Sequence, residues 1–517
     1  MPLPDNPIER VIRQLLTNAR TSAFERILDD HPMPSVVMGT EGVANQLYHG
    51  MDRVDKVPAN LYQRYDVKRG LRNSDGSGVL VGLTTISNVH GYNKVDGWVV
   101  PDEGRLTLRG YDIGDLVHGA ADSGRFGYEE VAYLLISGAL PTSEQLSDFR
   151  ARIGMRRQFP EGYLRIFSRA TQSRSIMNVL QRATLLLYAY DPTPDDTSPA
   201  HEVDVALSLL GRWPRAAAIA SEVFRASDED RRVLIPPERE DYSMAETILD
   251  VLRGDEGFTA DEAHMLDVML MLHAEHGGGN NSSFTCRVLS SSGTDAYSAY
   301  VGALGSLKGP KHGGANAQVS RMINDIAAHV EDWDNDDEIA AYLTKILKGE
   351  AFDGTRLIYG LGHAVYTFSD PRAQVVKQYA RNLAHTEGED GRFHLIETIE
   401  RLGPELMREV RGTDKAICAN IDLYSGFVYS MLGIPEELYT PFFALARLAG
   451  WAAHRMEELY GAARIIRPAY NSYMTLQDYV PLEERRDTTL EDHNEQHSEQ
   501  QAPAESQAPA DSQNTGM

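Results

Sequence analysis

The stretch that most restricts the fold is TPFFALARLAGWAAHRMEEL, Thr440 to Leu459. Thr440-Pro441 is a helix-start signal, and the helix it opens is apolar around nearly its whole circumference. Such a helix has no face to offer water, so it belongs inside a layer of other helices. Arg447 is the one charge in its middle. A buried guanidinium costs several kcal/mol unless an anion partners it. That anion is either a protein carboxylate, the commoner case, or a bound substrate.

Helical periodicity dominates elsewhere too. In DAYSAYVGALGSLKGP, Tyr297, Tyr300, Val301 and Leu304 follow the i, i+3, i+4, i+7 rule, and Gly309-Pro310 stops the helix. The pattern resumes with Val319, Met322, Ile323, Ile326 and Val330, which leaves His312 in a glycine-flanked turn ahead of a helix N-terminus. Alternating strand patterns are scarce. GWVVPDEGRLTLRGYDI, from Gly97 to Ile113, predicts a hairpin followed by a helix. The fold class is therefore mainly α, with a minor β element before about residue 115.

Composition limits the partners. The chain has 517 residues, room for two to four domains or one large domain with insertions. With 50 Lys and Arg against 75 Asp and Glu, a net charge of -25 opposes nucleic acid and anionic lipid, so an anionic substrate needs a local arginine cluster. Only Cys286 and Cys418 occur, which fits a reducing compartment. No apolar run reaches the roughly 18 residues of a membrane span, and MPLPDNPIERVIRQLL lacks the apolar core of a secretory signal. The expectation is a cytoplasmic protein. From about Glu483 to Met517 the chain turns acidic and polar, with a near repeat QAPAES/QAPADS, and reads as a disordered tail. EDWDNDDE, Glu331 to Glu338, reads as a solvated loop or helix start.

Other stretches suggest chemistry. LHAEHGGGNNSSF carries His273 and His276 one helical turn apart, a weak metal pattern against the commoner reading of hydrogen-bonded helix-end histidines. In YGLGHAVYTFSDPRAQVV, His363 follows a Gly-x-Gly bend, Asp370 and Pro371 take N-cap and N1, and Arg372 falls in the first turn. That arginine is either solvated beside a cap or aimed, with the exposed N–H groups, at an anion. In ANIDLYSGFVYSMLGIP, Asp422 sits among apolar residues as a helix cap, which the sequence slightly favours, or as a functional base. Arg467, in RIIRPAYNSY, is a weaker candidate. Histidines in glycine turns, one Asp in apolar surroundings and separated arginines suit a site that holds a small polycarboxylate and moves protons beside it.

Taken in order, GLTTISNVHGY, GRLTLRGYDIGDL, YEEVAYLLISGALPT, HAEHGGGN, GPKHGGAN, GLGHAVYTFSDPR, NIDLYSGFVY, FALARLAGW and RIIRPAY resemble citrate synthase and the related 2-methylcitrate synthase over residues 80 to 475. The resemblance implies a two-domain helical fold: a large domain from 1–312 and 428–482, a small domain from 313–427, and the tail from 483–517 outside it. It implies a homodimer that condenses oxaloacetate with acetyl-CoA as co-substrate and then hydrolyses the thioester, with no metal and no other cofactor; the metal reading of His273 and His276 falls. Carried over, Asp422 removes the α-proton, His312 donates to the thioester carbonyl as it becomes an enolate, and His363 polarises the oxaloacetate carbonyl. His276, Arg372 and Arg447 bind oxaloacetate, and Arg467 reaches in from the other subunit. A helix N-terminus disfavours positive charge, so His312 is expected to be a neutral donor.

Two positions depart from the family pattern. Thr367 stands where a basic residue usually meets CoA phosphates, and Ala469 where an arginine or lysine often follows the last Arg-Pro. The motifs do not separate acetyl-CoA from propionyl-CoA, because one methylene changes specificity by only ~1–3 kcal/mol. A catalytically silent relative would have lost Asp422 or a catalytic histidine; none is missing.

Overall fold

A computed structural model describes residues 57–485, apart from 97, 171, 172, 174, 230–234, 414, 415, 462, 463, 475 and 477; for 168–170 and 226–229 it describes backbone alone. The leader reading and most of the tail reading lie outside the described residues. A first compact unit ends at Ile465, and a second begins at Ile466.

The described chain is mostly helical. After α1 (Ala59–Arg64) come three strands, β1 (Ser87–Val95), β2 (Trp98–Leu108) and β3 (Tyr111–Asp112), in one antiparallel sheet. The hairpin expected within Gly97–Ile113 exists only as the short β2–β3 pair; β2 runs through Pro101 and Gly104 and pairs mainly with the upstream β1. The proline is tolerated because the register shifts between His90 and Tyr92 beside it.

Six helices follow: α2 (Ile113–Ala121), α3 (Tyr128–Ser137), α4 (Ser143–Met155), α5 (Tyr163–Ala170), α6 (Ile176–Tyr188) and α7 (Pro199–Glu229). Then come α8 (Met244–Arg253), α9 (Ala260–His273), α10 (Asn281–Ser290) and α11 (Ala296–Leu307). After the His312 turn lie α12 (Ala315–His329), α13 (Asp336–Lys348), α14 (Pro371–Glu387), α15 (Asp390–Arg411), α16 (Asp422–Met431) and α17 (Tyr439–Tyr460). The acidic EDWDNDDE stretch starts α13, with Asn335 as N-cap and Asp336, Asp337 and Glu338 in the first turn, where the helix dipole favours them.

The all-round apolar helix is the axis of the first unit. Every residue of α17 from Pro441 to Arg455 is buried, and the helix packs against α3, α7, α9, α10 and α11. Its second buried arginine, Arg455, is neutralised by a fork to Glu202 at 2.7 and 2.6 Å, with both side chains fully covered. Helices α12 to α16 pack largely on one another, through α12–α16, α14–α16, α13–α15 and α14–α15 contacts. The apolar stripe of α12, Val319, Met322, Ile323 and Ile326, is buried, as the periodicity requires. The hairpin presses on the loop before α14: a Cβ at Gly91 would lie 2.7 Å from the Val365 carbonyl oxygen, and one at Gly104 would lie 2.0 Å from that of Ser369. Only glycine permits that approach. Both cysteines are free and buried, and among the described residues no helix is long and apolar enough to cross a membrane.

Candidate active site

Five segments carry the site: the stretch after α9 with His276, the turn with His312, the loop from His363 into α14, the start of α16 with Asp422 and the middle of α17 with Arg447. Electrostatics tie them together. His276 feels Arg372, His363, Arg447 and His312 at once, while Arg372 feels Asp422.

The histidines are neutral for local reasons. His363 Nδ1 accepts the backbone N–H groups of Val365 and Tyr366, each at 3.1 Å, so the ring proton resides on Nε2. Burial, then the neighbouring Arg372, pushes the His363 pKa down to about 4. His276 packs edge-on to His363 at 5.1 Å between ring centroids, and its Nε2 lies 3.3 Å from the Tyr366 hydroxyl. Burial, followed by Arg372 and His363, holds it far below the usual imidazole range. His273 donates Nδ1–H to the Met269 carbonyl at 2.7 Å, the helix-end bond that was the alternative to a metal ligand.

His312 occupies its turn through a bond from its own N–H to the Gly309 carbonyl, and burial, then Arg447, lowers its pKa to about 4. Its Nε2 lies 3.0 Å from Ser282 Oγ, a partner sequence reasoning missed. Trp451 Nε1–H donates to the same hydroxyl at 3.2 Å. The hydroxyl has one proton, which reaches either Asn280 Oδ1 at 2.9 Å or His312 Nε2. With the proton toward His312, the imidazole carries its own hydrogen on Nδ1, as a free donor.

Arg372 is not solvated. It is buried, and Asp370 holds it in a fork, Oδ1 accepting from Nε at 3.0 Å and Oδ2 from Nη2 at 2.7 Å. Asp370 also caps α14, accepting from the Arg372 backbone N–H at 3.0 Å, so the expected Asp-Pro start is present and has a second role. Asp422 does not act as the cap that the sequence favoured. The first residue before α16 is Ile421, and the helix has no side-chain cap bond. Asn420 Oδ1 instead accepts the Asp422 N–H, which leaves that carboxylate unengaged by the backbone. Asp422 is half-buried, and desolvation raises its pKa to about 6 against the opposing pull of Arg372. A base poised near neutrality follows.

Arg447 is fully buried, and its Nε donates to the His273 carbonyl at 2.8 Å. Both amino groups, Nη1 and Nη2, have no partner among the described residues. Burial lowers its pKa to about 10. The guanidinium also stacks 4.7 Å over the Phe443 ring. Two arginines, one with both amino groups unpartnered among the described residues, together with neutral imidazoles and an available carboxylate, are groups that could hold an anion and move protons beside it. Arg467 falls in the second unit, where it is exposed, as is Ala469.

The family described as citrate synthase, C-terminal domain, matches residues 74–469. The citrate synthase of Haloferax volcanii is 35% identical over 81% of this chain and 99% of its own. The 2-methylcitrate synthase 1 of Corynebacterium glutamicum is 33% identical over 81% of this chain and 98% of its own. Among solved structures, the ternary complex of carboxymethyl coenzyme A and oxaloacetate with citrate synthase from Thermoplasma acidophilum superposes with a TM-score of 0.65 at 25% identity, covering 81% of this chain and 99% of that one. The fold and the full-length matches define an enzyme of the acyltransferase class. The chain belongs to the citrate synthase family.

Proposed function

We propose that the enzyme is a citrate synthase, condensing acetyl-CoA with oxaloacetate and hydrolysing the resulting thioester to citrate and CoA. The observation that carries this reading is the pair of Arg447 amino groups with no partner among the described residues, beside the forked Arg372 and the neutral His276 and His363. A dicarboxylate supplies what a buried, unpaired cation lacks, and each charge-assisted contact is worth roughly 1.5–3 kcal/mol.

In the proposed mechanism Arg372, Arg447 and His276 hold oxaloacetate, and His363 donates Nε2–H to its carbonyl oxygen. Asp422 takes a proton from the acyl carbon while His312 donates from Nδ1 to the thioester oxygen. An α-proton beside a thioester is weakly acidic, so base and donor act together, and the hydrogen bond at the developing oxyanion contributes several kcal/mol. The enolate carbon then attacks the polarised carbonyl, and water cleaves the thioester. We place a small domain at 313–427, built on α12 to α15 and the start of α16, and expect a cytoplasmic homodimer in which Arg467 crosses to the other subunit. No metal or further cofactor takes part.

The test is CoA thiol release with oxaloacetate and either acetyl-CoA or propionyl-CoA, with and without a chelator. Higher kcat/KM for acetyl-CoA, unaffected by chelation, is expected. A preference for propionyl-CoA would reassign the enzyme to 2-methylcitrate synthesis, and no thiol from either would refute both substrates.

A further inference from the structure

Glu275 lies one residue before His276, with its side chain fully covered. One oxygen is saturated: Oε1 accepts from Ser87 Oγ at 2.9 Å, from the Gly277 N–H at 2.6 Å and from His454 Nε2 at 2.8 Å. The His454 tautomer is set from behind, because its Nδ1 accepts from Arg287 Nε at 3.1 Å. The other oxygen, Oε2, has no partner among the described residues. It lies against α17 at Gly450, one turn beyond Arg447: a Cβ at Gly450 would stand 2.2 Å from Oε2. Arg447 bears the two unpartnered amino groups, and Arg372 repels it.

We propose that Glu275 is the resident countercharge of Arg447, balancing the buried guanidinium through space without bonding it, so that both amino groups stay free for a substrate carboxylate. The inference rests on the reading of Arg447 as an oxaloacetate contact. Each group's titration agrees with the geometry. Burial opposes charge on Glu275, but His454, Arg447 and Ser87 outweigh it and hold the carboxyl down at about 2. Burial lowers Arg447, and Glu275 opposes that fall. A direct salt bridge in this place would occupy the fork that the ligand needs. A carboxylate one turn away, locked by its other oxygen, stabilises the free enzyme and gives up some affinity for the dianion, since it repels the ligand too.

This is a positioning role, and it predicts an effect of unusual sign. In the full chain, Glu275→Gln keeps an oxygen for Ser87, Gly277 and His454 but loses the charge. The Tm of the free enzyme is expected to fall, while the calorimetric Kd for oxaloacetate tightens about three- to tenfold. KM for oxaloacetate should fall without a matching rise in kcat, and Glu275→Asp should restore wild-type values. A purely structural Glu275 would lower Tm and leave Kd unchanged or weaker; either result in a folded variant overturns the proposal. If Glu275→Gln does not fold, the double variant with Arg447→Met decides. Recovery of folding supports charge balance, and no recovery overturns it. Failure of the wild-type enzyme to bind oxaloacetate would refute the proposed substrate instead, whereas wild-type binding with an unaltered variant refutes only the role of Glu275.

Discussion

Asp370 grips Arg372 from two residues away, with Nε at 3.0 Å from one carboxylate oxygen and Nη2 at 2.7 Å from the other, both residues buried. The same carboxylate accepts the Arg372 backbone N–H at 3.0 Å and the Ile421 N–H at 3.3 Å. It therefore ties the start of α14 to the start of α16, where Asp422 lies, and aims one cation of the site.

Asp370→Asn keeps the helix cap but removes the charge that balances Arg372. Leaving a buried guanidinium without its anion is expected to cost about 3–5 kcal/mol of stability. Loss of this support should also lower kcat/KM for oxaloacetate by roughly 10–100-fold. Thermal melts and steady-state kinetics on one preparation check both.

The acid limb of activity should report Asp422. Its pKa of about 6, raised by burial, means that below that pH the carboxyl is protonated and cannot accept the acyl proton. kcat/KM for the acyl-CoA is expected to fall about tenfold per pH unit below the inflection. His312 and His363, lowered to about 4 mainly by burial, stay neutral across that range and should add no limb of their own above pH 5. A flat profile from pH 7 to 5 would remove Asp422 from the proposed role.

Asp422→Asn should be inactive yet more stable. A carboxyl whose folded pKa is raised from 3.8 to about 6 is less at home ionised in the folded state, so its cost begins as pH rises past the unfolded value and is complete above the folded one. The linkage amounts to ~2–3 kcal/mol. Denaturant melts should show the variant ahead of wild type by that order at pH 7 and level with it near pH 3.5, where both forms are neutral. Turnover should fall by orders of magnitude.

Ser282→Ala tests how His312 is oriented. The hydroxyl stands 3.0 Å from Nε2 and is held by Trp451. Without it, the tautomer with hydrogen on Nδ1 loses its support. kcat is expected to drop about 10–100-fold with the oxaloacetate Kd within a factor of two, since a supporting partner orients rather than binds. An equal loss in Kd and kcat would show that Ser282 holds the fold rather than the imidazole.

Local pattern determined much of this protein from the sequence alone. The i, i+3, i+4 stripes of α11 and α12, the Gly-Pro stop before His312, the Asp-Pro start of α14 and the burial of α17 all follow from periodicity, capping and the lack of a polar face. These signals act within a few residues, so they survive without knowledge of the partner. The tertiary structure alone decided what each charge meets. It paired Arg455 with Glu202, 253 residues away, and left Arg447, eight positions earlier on the same helix, with two amino groups that have no partner among the described residues. It buried Arg372 in the Asp370 fork, released Asp422 from capping, and set Ser282 and Trp451 behind His312. A charge's fate depends on desolvation and on partners brought in from distant segments, and neither is written into the spacing of the residues around it.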